Sequence, residues 1–258
     1  MDYCGNHFVQ FHKDSATLAK EVSAFIATGL RGSEGVVAIA TEEHTRAIIE
    51  ELFHKGFDAA NCQEAGQLVL LDAEATLAAF MSVGIPDWPK FRDTIAPQIA
   101  ATRDRGFQKI RAYGEMVDIL WRKGNSAAAI RLEEYWNDIS HIMSFSLLCA
   151  YMLDGLDESS YAGPLHEIGR THSDVISGED DARLLSAIDA ASEDLWGTRL
   201  STFVTLSESR QGEHRLPVGR RTVMWLKRTM PLKVTEVLYH AKRHMGDPNF
   251  LTPENKIR

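Results

Sequence analysis

Apolar residues cluster in five short stretches of the chain, and the segments between these stretches have the residue spacing of helices. They cover about 7–11, 35–40, 67–71, 109–113 and 144–152. Between them, apolar residues recur every three or four positions, as on the buried face of a helix. The continuous apolar run at 35–40 is typical of a parallel strand covered on both faces. The pattern predicts an α/β fold with a doubly wound, mainly parallel sheet of about five strands, followed by a helical extension.

The stretch from Lys109 to Trp121 changes period across one glycine. Residues before Gly114 fit a strand, whereas the residues after it keep helical spacing. Glu115 is therefore expected on the first helical turn, at the sheet edge where parallel α/β proteins usually bind ligands. Two roles stay open for Glu115, because a carboxylate there can face a ligand or complement the positive end of the helix dipole.

The strand pattern fades after the polar loop at 154–160. Helical spacing then predicts helices at about 161–170, 180–197, 218–228 and 231–245. Charge also changes along the chain, because residues 215–258 carry a net positive charge and the rest a net negative one. We expect an α/β domain over residues 6–172 and a helical extension over 173–258 that is basic from 215.

Composition narrows the class of protein. No apolar run approaches the roughly 20 residues that a membrane-spanning helix needs. The first residues lack the basic and apolar segments of a secretory leader, so a cytoplasmic location is expected. Three widely spaced cysteines argue against a disulfide framework and agree with a reducing compartment.

Five sequence motifs together resemble a known family. They are His7-Phe-Val-Gln-Phe, Gly35-Val-Val-Ala-Ile-Ala, Tyr113-Gly-Glu-Met-Val-Asp-Ile-Leu-Trp, Leu132-Glu-Glu-Tyr-Trp-Asn and Ser146-Leu-Leu-Cys-Ala-Tyr. In this order and spacing they resemble the MEDS family of sensory domains, typified by the dichloromethane-responsive repressor. The resemblance spans about His7 to His172. It implies a RecA/KaiC-like fold and a regulatory role in sensing small organic molecules. Such domains are often joined to a histidine kinase or a DNA-binding module, and the remaining residues of this chain match neither.

Kinship with ATPases raises the question of nucleotide hydrolysis. A phosphate-binding loop follows a strand and reads GxxxxGK[ST], which supplies backbone N–H groups, a lysine and a hydroxyl. The strand at 35–40 is instead followed by Thr41-Glu42-Glu43-His44, and the glycines at 29, 32 and 35 precede the strand. We therefore expect a non-enzymatic protein without a cofactor or catalytic residues. The alternatives are a degenerate nucleotide-binding protein and a thiol-dependent enzyme.

The strand ends supply a candidate ligand site. Aromatic residues around the central strand fit either the core or the wall of an apolar pocket, in which a few polar side chains would anchor the ligand. Cys149 fits a buried small hydrophobe or a redox- or metal-responsive thiol. The predicted ligand-binding residues are Thr41, His44, Tyr113, Glu115, Trp121, Trp136, Asn137, Cys149 and Tyr151. The expected partner is a small organic ligand or a signalling protein.

Two groups of residues have partial metal-binding spacing. Cys4, His7 and His12 form a single Cys-x2-His motif without a second pair, and Glu236, His240 and His244 share one helical face. The first set is too sparse for a zinc module, and the second fits a solvated helix surface. No metal site is predicted.

The helix expected at 218–228 carries a basic face beside an apolar face. Its cations are predicted to bind a partner, and they are Arg220, Arg221, Lys227 and Arg228. They can meet the protein's own carboxylates, an acidic protein surface or a phosphate backbone. Because no helix-turn-helix spacing is present, a protein or intramolecular contact is favoured over nucleic acid. The sequence leaves open whether the chain forms a homo-oligomer.

Overall fold

A computed structural model describes residues 6–208 and 215–246, which form two compact units. The first unit, the sheet unit, comprises the described residues up to Met152 together with Pro164–Ile176. The second, the C-terminal unit, comprises Leu153–Gly163 and the described residues from Ser177 onward. The predicted α/β class and the predicted C-terminal helical region are both confirmed.

The sheet unit alternates strands and helices along the chain. In order, its elements are β1 (His7–His12), α1 (Ser15–Arg31), β2 (Gly35–Ala40), α2 (Glu42–His54), α3 (Ala59–Glu64), β3 (Leu68–Asp72), α4 (Ala73–Phe80), β4 (Met81–Ser82), β5 (Ile85–Pro86), α5 (Trp88–Asp104), β6 (Ile110–Gly114), α6 (Met116–Arg122), α7 (Ser126–Met143), β7 (Ser146–Met152), α8 (Leu165–Thr171) and β8 (Asp174–Ile176). Strands β4 and β5 form a small antiparallel hairpin apart from the main sheet.

The main sheet has six parallel strands in the order β3-β2-β6-β7-β1-β8. The expectation of about five strands was therefore one short, because β8 was not recognised. That strand spans only 174–176 and pairs at the sheet edge with Phe8 to Gln10 of β1. Three residues are too few to show an alternating pattern, so the sequence alone did not reveal it.

Helices cover both faces of the sheet. Apolar side chains of α1 and α2 share one core cluster with alternate residues of the strands, such as Ala38 and Leu148. On the opposite face, Trp136 of α7 lies against Gly114 and packs edge-on against Phe91 of α5. This two-sided cover explains why β2 and β7 read as nearly continuous apolar runs.

Side-chain caps fix where several helices start after a strand. Asp14 accepts a hydrogen bond from the backbone N–H of Thr17 at 2.8 Å, and Asp72 accepts one from Ala75 at 2.7 Å. Each cap satisfies an N–H that the first turn would otherwise leave unpaired. The strand-to-helix joints at the carboxyl edge of the sheet are thereby held in place.

The C-terminal unit consists of helices and short turns in the part of the chain that is described. Its helices are α9 (Glu179–Trp196), α10 (Leu200–Glu208), α11 (Val218–Thr229) and α12 (Val234–His244), with single 3-10 turns at Glu158–Tyr161 and Pro231–Lys233. Helices α11 and α12 both pack against α9. Among the described helices, none has the length and apolar character needed to cross a bilayer.

Candidate functional site

Glu115 joins the ends of two neighbouring strands. It immediately follows β6, and its carboxylate accepts hydrogen bonds from the backbone N–H of Thr41 and from the hydroxyl of Tyr113, the latter at 3.0 Å. The Nδ1 atom of His44 lies 2.7 Å from Oε2 of Glu115, and Nε2 of His44 lies 3.1 Å from the hydroxyl oxygen of Ser15. Four predicted site residues therefore form one hydrogen-bonded group.

The carboxylate of Glu115 is buried, whereas Thr41 in the same group is half-buried. Glu115 is 1 % exposed, and its side chain makes no capping hydrogen bond to α6. Burial acts to raise the pKa of Glu115, but His44 and the N–H of Thr41 outweigh it and the pKa lies below its ordinary value. Burial acts to lower the pKa of His44, but Glu115 raises it overall. The two side chains form a buried ion pair that ties α2 to the β6–α6 joint.

The predicted aromatic residues lie in packed surroundings. Trp121 meets Tyr151 edge-on with ring centroids 5.8 Å apart, and Trp136 packs in the same way against Phe145 at 6.2 Å. Trp136 and Tyr151 have almost no exposed surface. Their contacts account for them as core residues, and a ligand-binding role for them stays a prediction.

A second polar group is buried between the sheet and helices α7 and α8. It contains His7 of β1, Glu133 of α7, Cys149 of β7 and His172, which directly follows α8. The four residues are 0–1 % exposed. We call this group the buried cluster. It gathers ionisable side chains that are up to 165 positions apart in the sequence.

Short distances connect the members of the buried cluster. The Oε2 atom of Glu133 lies 3.3 Å from Nε2 of His7, 3.4 Å from Nε2 of His172 and 3.3 Å from the sulfur of Cys149. Nε2 of His7 also lies 3.2 Å from the sulfur of Cys149. One donor or acceptor atom of each side chain therefore points to a common centre.

Outer partners hold the members of the buried cluster in these orientations. The hydroxyl of Tyr151 donates to Oε1 of Glu133 at 2.7 Å. Nδ1 of His7 lies 3.0 Å from Oδ1 of Asn137, whose amide nitrogen donates to the carbonyl of Thr171 at 2.7 Å. Nδ1 of His172 lies 2.6 Å from the carbonyl of Ile168. The predicted residues Asn137 and Tyr151 thus support the cluster from outside.

Electrostatics favour an ionised Glu133 beside a neutral thiol. Burial acts to raise the pKa of Glu133, but His172 and His7 hold it well below its usual range. Burial and the carboxylate of Glu133 raise the pKa of Cys149 well above its ordinary value. Burial and the neighbouring imidazole of His172 lower the pKa of His7. A protonated thiol is a poor nucleophile, so this arrangement is better suited to binding a cation than to attacking a substrate.

Sequence reasoning selected Cys149 but did not select its three partners. One available signal was the helical position of Glu133, because it lies beside Leu132 and one turn before Trp136 and Asn137 on the inward face of α7. A charged residue on an inward face requires a buried partner. The pairing of β1 with β7, which brings His7 to Cys149, has no signal in local periodicity.

The four predicted partner-binding cations differ in their surroundings. Arg220 is 2 % exposed, and its guanidinium lies 3.0 Å from Asp181 and donates to the carbonyl of Leu153 at 2.9 Å. Lys227 donates to the carbonyl of Tyr161 at 3.2 Å. Arg221 is half-buried and Arg228 is exposed. At least two of these cations therefore make contacts within the C-terminal unit, and partner binding by the set stays a prediction.

The residues with partial metal-binding spacing are placed as follows. His240 is half-buried and His244 is exposed on α12, and His244 pairs with Asp194 at 2.9 Å. His12 is buried, whereas Cys4 lies outside the described residues. His7 belongs to the buried cluster, which was not anticipated from the Cys-x2-His spacing.

Comparison with known proteins identifies one family. The model of the MEDS family, described as the methanogen/methylotroph, DcmR sensory domain, matches residues 6–173, about two-thirds of the chain. The match includes all four residues of the buried cluster and the whole group around Glu115. No curated protein matches the chain.

Proposed function

Because the chain belongs to the MEDS family of sensory domains, we propose that it is a non-enzymatic regulatory protein whose signal is received at the buried cluster. One observation carries this proposal: His7, Glu133, Cys149 and His172 converge on a common centre inside the family-matched region. The bound signal is a small ligand, and the response is a shift in the population of states of the C-terminal helices.

The energetics of burial support a functional role for the buried cluster. Removing a carboxylate from water costs several kcal/mol unless excellent pairing offsets it, and apolar residues of similar volume often stabilise a core better. Glu133 lies in a helix whose neighbouring inward residues are apolar, such as Leu132 and Trp136. A leucine at position 133 would serve packing alone, so the polar group is best explained by a function that requires it.

Two observations favour binding over catalysis. Cys149 is 0 % exposed and its raised pKa keeps the thiol protonated, which argues against the thiol-dependent alternative. The sequence contains no Gly-Lys pair, so a GxxxxGK[ST] loop is lacking throughout the chain, which argues against nucleotide hydrolysis. Turnover of ATP on the order of 1 per second would contradict the non-enzymatic part of the proposal.

The expected ligand is a small organic molecule, as the family resemblance implies, and a protein partner is the alternative. The test compares the native and denatured masses of the purified full chain, which reveals any molecule that copurifies. Hydrogen exchange of α9, α11 and α12 is then measured with and without that molecule. We expect protection in these helices to change when the ligand binds.

A matched pair of variants tests whether the buried cluster is the sensing centre, which is the site that receives the signal. Glu133→Gln removes the central charge, whereas Glu134→Gln changes an adjacent, half-buried carboxylate on the same helix. Glu133→Gln should abolish the ligand-dependent change in hydrogen exchange, and Glu134→Gln should preserve it. An unchanged response in a folded Glu133→Gln protein would place the sensing centre elsewhere, with the group around Glu115 as the next candidate.

A further inference from the structure

Four electron-rich atoms surround one point in the buried cluster. They are Nε2 of His7, Nε2 of His172, the sulfur of Cys149 and Oε2 of Glu133, and all lie within 4.8 Å of one another. Four of the separations are between 3.2 and 3.4 Å. Ligands bonded to zinc at about 2.0–2.3 Å in a tetrahedron are roughly 3.3–3.8 Å apart, which is close to this spacing.

The outer hydrogen bonds fix which nitrogen of each imidazole faces the centre. Nδ1 of His172 faces the carbonyl of Ile168, and Nδ1 of His7 faces the amide oxygen of Asn137. The orientation of that amide is set by its own donation to Thr171. Because both partners of Nδ1 are acceptors, Nδ1 carries the hydrogen in the neutral imidazole that binds a metal, and the lone pair of Nε2 then faces the centre. Imidazole ligands of metal ions are oriented in the same way by their second nitrogen.

We propose that His7, Glu133, Cys149 and His172 bind one divalent transition-metal ion of the zinc class in tetrahedral geometry. The proposal names a metal ion as the ligand of the sensing centre, in place of the organic molecule that the family resemblance implies, and it rests on the site proposed above. Imidazole, thiolate and carboxylate together suit Zn²⁺ or Co²⁺, whereas Mg²⁺ and Ca²⁺ prefer oxygen alone. Four protein ligands complete a tetrahedron and leave no open position, which is typical of a non-catalytic metal site.

Charge balance also favours the bound state. Binding forms a metal–sulfur bond and breaks the S–H bond of Cys149, and the thiol proton passes to solvent without any redox change. The thiolate and the carboxylate of Glu133 then neutralise the doubly charged ion, while both imidazoles remain uncharged. A neutral complex is cheaper to bury than an isolated carboxylate. Tyr151, through its bond to Oε1, keeps Oε2 of Glu133 directed at the ion.

The first test measures metal binding by the intact protein. The full chain is dialysed against a chelator and titrated with Zn²⁺ or Co²⁺ alone, and bound metal is quantified by mass spectrometry. We expect one ion per chain, together with the intense visible absorption of tetrahedral Co²⁺ and an ultraviolet thiolate-to-cobalt band. Absence of stoichiometric binding by the wild-type chain would overturn the proposal.

Variants identify the ligands. Cys149→Ser should remove the thiolate band and weaken binding by more than about 100-fold, while Cys62→Ser, which changes a half-buried cysteine, should leave both intact. His172→Gln should weaken binding similarly, and His166→Gln, at an exposed position of α8, should not. Equal spectra for the Cys149 and Cys62 variants would contradict the assignment.

A conservative outer variant covers the case in which a ligand variant fails to fold. Tyr151→Phe keeps every ligand and removes one supporting hydrogen bond, so it should weaken metal binding by about 10–100-fold. Binding as tight as in the wild type would contradict the role of Tyr151. Metal uptake that leaves exchange in the C-terminal helices unchanged would overturn the sensing centre but retain the metal site. A ligand-dependent change in hydrogen exchange in a protein that binds no metal would overturn the metal site but retain the sensing centre.

Discussion

Glu115 and Glu133 are both buried carboxylates that face histidine, yet their surroundings differ. Glu115 receives a backbone N–H, a tyrosine hydroxyl and one histidine, so its hydrogen-bonding capacity is met by donors. Glu133 faces two histidines and a thiol, which are themselves potential metal ligands. Residue type alone does not distinguish the two. The surrounding group of Glu115 is that of a structural ion pair, whereas the surrounding group of Glu133 supports the binding role proposed above.

The ion pair between His44 and Glu115 gives a testable pH dependence. The pKa of His44 is raised above 6.5, so its contribution to stability is fully present below about pH 6.5 and is lost as pH rises through the higher folded value. The pKa of Glu115 is lowered from 4.5, so its contribution is present above about pH 4.5 and is lost as pH falls through the lower folded value.

Replacing His44 should therefore matter most in weakly acidic buffer. His44→Gln should lower the free energy of unfolding by about 1–3 kcal/mol near pH 5.5, and the difference from wild type should shrink above pH 6.5. Urea unfolding across this pH range measures it. His54→Gln, at the exposed end of α2, is the control and should show little effect. A difference for His44→Gln that grows with pH would contradict the ion-pair assignment.

Arg220 and Asp181 form the corresponding buried pair of the C-terminal unit. Both side chains are 2 % exposed. Arg220→Met leaves the carboxylate of Asp181 without this partner and should destabilise the protein by about 3–5 kcal/mol, measured by urea unfolding. Arg228→Met, at an exposed position of the same helix, should change stability by about 0.5 kcal/mol or less.

A double variant separates the charge effect from packing. Arg220→Met combined with Asp181→Leu removes both charges and should recover much of the lost stability. If the double variant is less stable than the single one, the loss comes from packing and not from an unpaired carboxylate.

At the scale of elements, β2 and β6 are neighbouring parallel strands that each contain a glycine at one end. Gly35 begins β2 and Gly114 ends β6. A methyl group at position 35 would overlap Thr102 of α5, whereas one at position 114 would meet only Trp136, at 3.6 Å. Helix α5 therefore approaches the start of β2 more closely than α7 approaches the end of β6.

This contrast predicts different costs for the same substitution. Gly35→Ala should lower the free energy of unfolding by about 1–3 kcal/mol, because the close approach of α5 forces a shift. Gly114→Ala adds a methyl group at ordinary contact distance and should cost less than about 1 kcal/mol. Thermal or urea unfolding of both variants measures the two losses in the free energy of unfolding, and equal losses would show that α5 adjusts without strain.

At the scale of the whole molecule, charge distribution bears on the partner. The chain has a formal charge of −8, although residues 215–258 are basic. Arg220 is paired with Asp181, and Lys227 donates to a backbone carbonyl, which reduces the cations directed at a phosphate backbone. These contacts support the expectation that this segment makes intramolecular or protein contacts in preference to nucleic-acid contacts.

We therefore expect weak or undetectable binding to duplex DNA. Fluorescence anisotropy at low and moderate salt measures it, and any affinity should be weaker than the non-specific range of about 10⁻⁴–10⁻⁶ M at physiological salt. Tight binding that weakens steeply with salt would establish phosphate contacts instead. In that case Arg228→Ala should reduce the salt slope by about one.

The sequence by itself determined the class of fold and the family. Periodicity located all five long strands of the main sheet, and the change of period across Gly114 located the β6–α6 joint. These features depend on residues close together in the chain, since burial on a strand or helix repeats every two or about 3.6 positions. The motif order also sufficed for the MEDS assignment, which the family match confirms.

Only the tertiary structure decided the strand order, the sixth strand and the buried cluster. Cys149, Asn137 and Tyr151 were selected from the sequence, but His7, Glu133 and His172 were not. Their meeting requires β1 to lie between β7 and β8 in a register that pairs Val9 with Cys149, so that odd-numbered residues share a face. Such pairing comes from packing between segments more than 100 residues apart, and local periodicity carries no information about it.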